Sequence, residues 1–395
     1  MKQSKKIVFG VLLLILALVL AACSGSKSSA GDVDGEDGWL DSANLDEEET
    51  MDELYEKAQE EGELIVYSSS SVATNVVANF EKDYPGIKVD ATKLNDVDVT
   101  ERIKREQESE VFEADVVFSS GNNGAIEREL LDEGLVHIYN PSVISDKLIA
   151  PYDENPILHV TAEAYAVMYN TGKNDGPPID NWWDLTTPEW KGKVLSNDPL
   201  SSANLASLFL SFVQYSDEME EAYKDKFGED IVLDGTENAG YEFIKRLMDN
   251  DLVLLKSGGD SVDGVALSED KVPPLAIAST VSLRDVVNHD YEIAIVEDIK
   301  PRLSSPILKS FFVANHSKNV NAAKLFIRYM SGGDDGDAAG FDPLNTPGTW
   351  PLREDVEQDL DGIVSPYEDL NWWDRDDEFI YENTTNLRNF LLEHQ

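Results

Sequence analysis

The chain has 395 residues, of which 77 are Asp or Glu and 32 are Lys or Arg, so its formal net charge is −45. Nucleic acid is disfavoured as a partner, because phosphate backbones are bound by clustered Lys and Arg. The single cysteine, Cys23, excludes a disulfide framework and a multi-cysteine zinc site. With 42% hydrophobic residues the chain can bury a core, and its length suggests two domains.

The first 22 residues have the pattern of a signal peptide. Lys2, Lys5 and Lys6 precede an apolar run, 7–22, which is shorter than a comfortable membrane span. Small residues precede Cys23, as is typical of a cleavage site in exported proteins. We therefore predict export and removal of residues 1–22, with an uncleaved anchor or a plain secretory signal as the alternatives.

The end of this segment, Leu20-Ala21-Ala22-Cys23, resembles the lipobox of bacterial lipoproteins. The resemblance implies that the thiol of Cys23 is lipidated and that the protein is held on the extracellular (periplasmic) face of the cell membrane. The acyl chains would have to provide the attachment, because so acidic a surface gains nothing from anionic headgroups.

Residues 23–53 are predicted to be a flexible tether. They begin rich in Ser and Gly and continue rich in Asp and Glu, a composition that repels itself and stays extended. Asp32, Asp34 and Glu36 match the start of a calcium loop. Asp37 and Ala43 occupy the positions that such a loop fills with Gly and Glu, so no specific calcium site is expected.

From residue 54 onward, short apolar runs alternate with polar loops and helical patterns. The first helical pattern, around Leu54 and Ala58, is predicted to end at Gly62. The run 63–68 is β-branched and apolar, and a Ser-rich loop and a helical pattern follow it. The same unit returns after predicted strands at 114–118 and 193–195. This order is typical of a parallel sheet covered by helices, and it predicts an α/β fold.

Serine clusters follow these three strands. In parallel sheets, ligands bind at the carboxyl ends of the strands, where helix N-termini offer N–H groups to anionic or oxygen-rich groups. Each serine could equally be an ordinary helix cap. Because the clusters come from different parts of the chain, we predict that they share one ligand site: Ser69, Ser70, Ser71, Ser119, Ser120, Ser201 and Ser202.

Longer stretches of the chain resemble the extracellular solute-binding proteins of ABC importers. Within that family, the chain resembles the cluster that contains the ferric-iron, thiamine, putrescine and phosphonate binders. The order and spacing of the stretches carry the resemblance. The stretches are 62–69, 80–81, 86–89, 164–171, 183–186, 190–194, 257–261, 272–279, 321–327 and 350–356.

The resemblance implies a two-lobed, periplasmic-binding-protein-like fold of type 2, with two crossover strands as a hinge. Lobe one would comprise 54–160 and 276–315, and lobe two 166–272 and 316–395. The segment 316–395 is expected to end in a helix that packs on the second lobe. The resemblance also implies that a ligand bound between the lobes favours the closed form of the protein and that this closed form docks on a membrane permease. We expect a monomer without a cofactor.

The sequence departs from the ferric-iron members in the stretch that would bind the metal. The resemblance implies two adjacent tyrosines after the return hinge strand, whereas residues 279–285 contain none. Ferric iron prefers anionic oxygen such as phenolate, so no metal site is expected. Arg284 is instead a candidate clamp for a phosphate, phosphonate or carboxylate, and Asp260, Ser261 and Ser279 complete the predicted site.

We therefore predict a small organic anion, such as an organophosphate or a phosphonate, as the ligand. Ferric iron, or a polyamine held by Asp260 or Asp285, is the alternative within the same type of importer. A secreted hydrolase and an adhesive surface lipoprotein are the competing classes of protein. An enzyme is disfavoured, because the sequence lacks the Gly-x-Ser-x-Gly, P-loop, dinucleotide-binding and His-Glu-x-x-His motifs.

Overall fold

A computed structural model describes residues 36–121, 123–358 and 362–394. The chain forms two units, Met1–Ala43 and Asn44–Gln395, and each is described by itself. In the first unit the structure describes one helix, α1 (Glu36–Ala43). The predicted signal peptide, the predicted lipid acceptor Cys23 and the start of the predicted tether lie outside the described residues.

The second unit begins with a capped helix, α2 (Met51–Glu61). Thr50 and Glu53 form a reciprocal capping box, which satisfies N–H groups that the first turn would otherwise leave unpaired. Gly62 ends the helix in the left-handed region, with a φ of 75°, where the sequence predicts the helix to stop.

Eleven further α-helices lie in the described part of the second unit. They are α3 Val72–Asn75, α4 Val77–Asp83, α5 Asp96–Glu108, α6 Ser142–Ser145, α7 Ala203–Gln214, α8 Ser216–Phe227, α9 Ala239–Asp249, α10 Gly258–Ala266, α11 Arg284–Asn288, α12 Val320–Met330 and α13 Asp377–His394.

Twelve strands lie in the same part of the chain. They are β1 Glu63–Ser68, β2 Lys88–Lys93, β3 Val116–Ser119, β4 Val136–His137, β5 His159–Glu163, β6 Tyr165–Asn170, β7 Val194–Asn197, β8 Val253–Leu255, β9 Leu275–Ser279, β10 Ile293–Ile295, β11 Ile307–Ala314 and β12 Trp350–Pro351. The predicted strands at 63–68, 114–118 and 193–195 correspond to β1, β3 and β7.

The first lobe is built on a seven-stranded sheet. Six of its strands follow the order β12-β5-β11-β3-β1-β2, and β4 pairs with β11. β1 pairs in parallel with β2 and β3, whereas β11 is antiparallel to β3, β4 and β5. Val116, Val117 and Phe118 of β3 are all buried, which explains why this strand is apolar without alternation.

The second lobe is built on a five-stranded sheet with the order β10-β6-β9-β7-β8. β7 pairs in parallel with β8 and β9, and β6 is antiparallel to β9 and β10. The first residue of β6, Tyr165, lies opposite Ser279, the last residue of β9. The start of β6 and the carboxyl ends of β7, β8 and β9 therefore lie at the same edge of this sheet.

Two segments join the sheets. Ala164 alone separates β5 from β6, and residues 296–306 connect β10 with β11. Thr280 holds the first crossover in place, because its hydroxyl accepts a hydrogen bond from the N–H of Ala164 at 3.0 Å and donates one to the carbonyl of Gly348 at 2.6 Å. The predicted two-lobed α/β fold with two crossovers is confirmed.

The sheets correct the predicted lobe boundaries. The segment 276–315 is predicted for the first lobe, but β9 and β10 belong to the second sheet and only β11 to the first. The segment 316–395 is predicted for the second lobe, but α12 packs against α2 of the first lobe. There Glu61 accepts hydrogen bonds from the N–H groups of Asn321 and Ala322 at 3.1 and 2.8 Å. Strand pairing and helix contacts decide lobe membership, and chain order does not reveal them.

The predicted tether is corrected in its described part. Residues 36–43 are helical, and α2 begins at Met51. Glu49 is buried between Lys57 and Lys324, whose ammonium groups lie 2.5 and 2.9 Å from its carboxylate. Burial opposes ionisation of Glu49, but the hydrogen bonds from both lysines outweigh it and lower its pKa. The residues just before α2 are therefore part of the first lobe.

Candidate functional site

The loop after β1 carries the first cluster of predicted site residues. The N–H of Ser69 donates to the carbonyl of Phe118 at 3.0 Å, which holds the loop against β3. The hydroxyl of Ser70 accepts from the N–H of Val72 at 3.2 Å, and Ser71 is exposed ahead of the short helix α3. The half-buried Ser69 hydroxyl forms no hydrogen bond with a described residue, so a ligand could use it.

The loop after β3 carries the second cluster. Ser119 and Ser120 are buried, and their hydroxyls both donate to Oδ1 of Asp96 at 3.0 and 3.2 Å. Asp96 is the first residue of α5 and is partly exposed. Its carboxylate has lone pairs left over. The cluster therefore presents a hydrogen-bond acceptor, in place of the purely donating hydroxyls that the sequence suggests.

The loop between β7 and α7 carries the third cluster. The hydroxyl of Ser202 accepts from the N–H of Leu205 at 3.4 Å and so caps α7. The hydroxyl of Tyr165 lies 3.2 Å from the same oxygen. Ser201 is exposed and donates to the carbonyl of Asp198 at 2.9 Å. Since Tyr165 directly follows the crossover at Ala164, Ser202 lies at the junction of the lobes.

The two lobes contact each other through these loops. The side-chain amide of Asn204 donates to the hydroxyl of Ser120 at 3.3 Å, and the hydroxyl of Ser207 donates to Oδ1 of Asn123 at 2.6 Å. Asn123 has a φ of 57°, which Asn tolerates better than most residues. The structure thus brings the serines after β3 next to helix α7, whose N-terminus carries Ser201 and Ser202.

Two further polar residues of this junction were not predicted from the sequence. Tyr165 is 8% exposed, and burial raises the pKa of its phenol. Asn197, the last residue of β7, is also 8% exposed, and its Oδ1 has no partner among the described residues. Both follow or end an apolar strand, and that position at a strand end is the signal that could have identified them.

The remaining four predicted site residues lie outside the three serine loops. Asp260 is exposed in the first turn of α10, and the buried Ser261 donates to the carbonyl of Ser257 at 3.4 Å. Ser279 ends β9 at the edge that also carries Tyr165. Arg284 is exposed at the start of α11 and forms no hydrogen bond or ion pair with a described residue.

A cavity of about 610 Å³ lies between the lobes beside these loops. The first lobe lines it with α5 and residues 123–129, the second lobe lines it with residues 199–206, and α13 forms a further side. Ser201 is the predicted site residue that lines it. The volume is within the range that holds small-molecule ligands.

Charged groups near the crossover are paired. Lys309 of β11 and Glu163 of β5, both largely buried, lie 3.3 Å apart and compensate each other's charge.

Within residues 36–121, 123–358 and 362–394, no group of three or more His, Cys, Asp or Glu is arranged to hold a metal ion. No helix in that described part is long and apolar enough to cross a membrane.

The sequence matches the family model for bacterial extracellular solute-binding proteins over residues 64–338. Because this is more than half of the chain, the protein belongs to that family. The resemblance described above is thereby confirmed. Comparison with curated protein sequences gives no match.

Solved structures with the same fold include a ferric ion-binding protein and an iron-bound protein. Apo ferric ion-binding protein A of Pasteurella haemolytica is 20% identical, with a TM-score of 0.64 over 84% of this chain and 97% of that one. Iron-bound HitA of Pseudomonas aeruginosa is 15% identical, with a TM-score of 0.63 over 83% and 98%.

A third similar structure holds a different ligand. The periplasmic binding protein AfuA of Actinobacillus pleuropneumoniae, with exogenous fructose-6-phosphate bound, is 17% identical, with a TM-score of 0.62 over 84% and 98%. At these identities the three likenesses establish the fold alone. Family and fold together define a bacterial solute-binding protein of the ABC-importer type, which binds a small ligand and interacts with a permease; it is not an enzyme.

Proposed function

We propose that this protein is the membrane-anchored, monomeric subunit that captures a solute for an ABC importer. The observation that carries the proposal is the meeting of polar side chains from both lobes beside a cavity that both lobes line. A ligand that contacts both lobes has a higher affinity for the closed form, and it therefore shifts the population toward that form. The permease would recognise the closed form.

The proposed ligand is a small organic anion that also carries hydroxyl groups, such as a sugar phosphate, with phosphonates as the nearest relatives. The N-terminus of α7, with Ser201 and Ser202, suits an anionic group, since the helix dipole and its N–H groups favour negative charge. The carboxylate of Asp96 and the unpartnered Oδ1 of Asn197 would each accept a hydrogen bond from a ligand hydroxyl. The sugar phosphate in the AfuA structure agrees with this chemistry.

A polyamine is the second candidate. It is favoured by Glu101, Glu129 and Glu382, which line the cavity and would attract ammonium groups. Ferric iron is less well supported. Burial raises the pKa of Tyr165, the tyrosine found at the lobe junction, and so opposes the phenolate form that iron requires.

Titration calorimetry with fructose 6-phosphate, a phosphonate, thiamine, spermidine and ferric citrate tests the ligand class. We expect binding heat from fructose 6-phosphate and little from fructose, which serves as the matched control without the anionic group. Tight binding of spermidine or iron, with no heat from any phosphorylated compound, would contradict the anion. Native mass spectrometry of protein purified from its host would then show whether any small molecule is retained; a protein that neither retains nor binds a solute would contradict capture itself.

Attachment through Cys23 has its own test. Replacement of the thiol in Cys23→Ala removes the proposed lipid acceptor, so we expect the protein to leave the membrane fraction while its fold is kept. Ser24→Ala, at the next position, is the matched control and should remain attached. A Cys23→Ala protein that stays in the membrane fraction after a high-salt wash would show that the anchor is not a lipid on this residue.

A further inference from the structure

Helix α13 (Asp377–His394) lies beyond the residues that match the family model. It packs against α7 and α9 of the second lobe. Leu387 and Leu391 are buried there, and the ring of Phe390 lies 4.7 Å from that of Tyr241. The helix is therefore a fixed part of the second lobe.

The same helix also contacts the first lobe. Glu378 forms an ion pair with Arg128 at 2.5 Å, and the hydroxyl of Tyr381 donates to Oε1 of Glu129 at 3.2 Å. Arg128 and Glu129 belong to the helical turn that follows the loop after β3. The helix thus bridges the two lobes beside the serine loops, where the cavity opens.

One side of α13 lines this cavity, together with residues from both lobes. Arg388 is the one basic residue among the described lining residues, and it forms no hydrogen bond or ion pair with a described residue. Arg284 is also unpaired among the described residues, but it does not line this cavity. Arg388 is therefore a cation at a ligand-sized cavity with its donors still available.

We propose that α13 forms a third wall of the ligand site and that Arg388 determines specificity by binding the anionic group of the solute. The inference rests on the proposed capture of an organic anion. A guanidinium donates two parallel hydrogen bonds to a phosphate or carboxylate, which an ammonium cannot do. Arg388 thus takes the role that the sequence predicts for Arg284, which is exposed at the start of α11 and does not line this cavity.

The test compares Arg388→Gln with Arg284→Gln, using fructose 6-phosphate and inorganic phosphate as calorimetric probes. Loss of a charge-assisted pair of hydrogen bonds should weaken phosphate-ester binding by about 10- to 100-fold in Arg388→Gln. Arg284→Gln should bind as the wild type does, and Arg388→Lys should be intermediate. All three variants should keep the wild-type melting temperature, since both arginines are exposed and unpaired among the described residues.

The outcomes separate this inference from the proposed function. If the wild type binds fructose 6-phosphate and Arg388→Gln binds it equally well, the role of Arg388 is wrong and solute capture stands. If the wild type binds spermidine but neither phosphate probe, the anion and Arg388 are both wrong. Hydrogen exchange gives a second readout: fructose 6-phosphate should protect amides of α13, and protection confined to the loops after β1, β3 and β7 would overturn the third wall.

Discussion

The polar residues at the lobe junction differ in what they can still offer a ligand. The hydroxyls of Ser119 and Ser120 already donate hydrogen bonds to Asp96, and the hydroxyl of Ser202 caps helix α7. Asn197 differs from these three serines, because its buried Oδ1 has no partner among the described residues. A buried acceptor without a donor costs about 1–3 kcal/mol, so a ligand hydroxyl placed there would recover stability that the free protein lacks.

Glu127, beside the N-terminus of α13, makes the protein sensitive to pH. Burial raises its pKa to about 7, and the nearby Asp377 adds to the effect against the opposing charges of Arg375 and Arg128. Because the folded-state pKa lies above the ordinary value, the folded state loses stability as the pH rises from about 4.5 through 7.

Glu127→Gln keeps the shape of the side chain but cannot ionise. Between pH 5 and 8, the wild type should lose about 1–3 kcal/mol of unfolding free energy relative to this variant. Urea unfolding at several pH values measures the difference. Glu133→Gln, at an exposed position nearby, is the control and should follow the wild-type profile. Parallel profiles for Glu127→Gln and the wild type would contradict the raised pKa.

Among the elements, the first crossover is the most constrained. β5 and β6 are separated only by Ala164, and Thr280, which follows β9, is fully buried against it. The Thr280 hydroxyl links Ala164 to Gly348, close to β12 of the first sheet. This one side chain therefore connects a strand end of the second lobe with the first lobe at the crossover.

Thr280→Val tests this connection, since it keeps the branched shape and removes the hydroxyl. The N–H of Ala164 and the carbonyl of Gly348 would lose a buried partner, and we expect a loss of about 1–3 kcal/mol in unfolding free energy by urea denaturation. Thr92→Val, in the edge strand β2, is the matched control and should change stability little. Equal stability of the two variants would mean that the crossover does not depend on this hydroxyl.

At the scale of the whole molecule, the dominant property is the net charge of −45. Acidic groups outnumber basic ones by more than two to one, so the folded surface repels itself. Salt screens this repulsion, because the screening length falls from about 30 Å at 0.01 M to about 10 Å at 0.1 M.

The melting temperature should therefore rise with NaCl, most steeply below about 0.3 M. Differential scanning calorimetry from low to moderate salt measures the rise. KCl should act in the same way at equal ionic strength, which distinguishes screening from a sodium-specific effect. A melting temperature that stays flat or falls over this range would contradict self-repulsion.

The sequence by itself determined the class of fold and the local elements. Apolar runs of strand length, each followed by a Ser-rich loop and a helical pattern, predicted β1, β3 and β7, and the loops after them lie at strand ends as expected. Gly62 marked the end of α2 correctly. These features follow from residue preferences over short windows, which the chain carries locally.

Only the tertiary structure decided which elements pair and which side chains remain available. The membership of β9, β10 and α12 in the two lobes follows from hydrogen bonds between distant segments, which no local pattern specifies. For the same reason no local pattern singled out Arg388: a guanidinium is useful to a ligand only where folding places it beside a cavity. That placement depends on α13 bridging both lobes, a contact between residues some 250 positions apart.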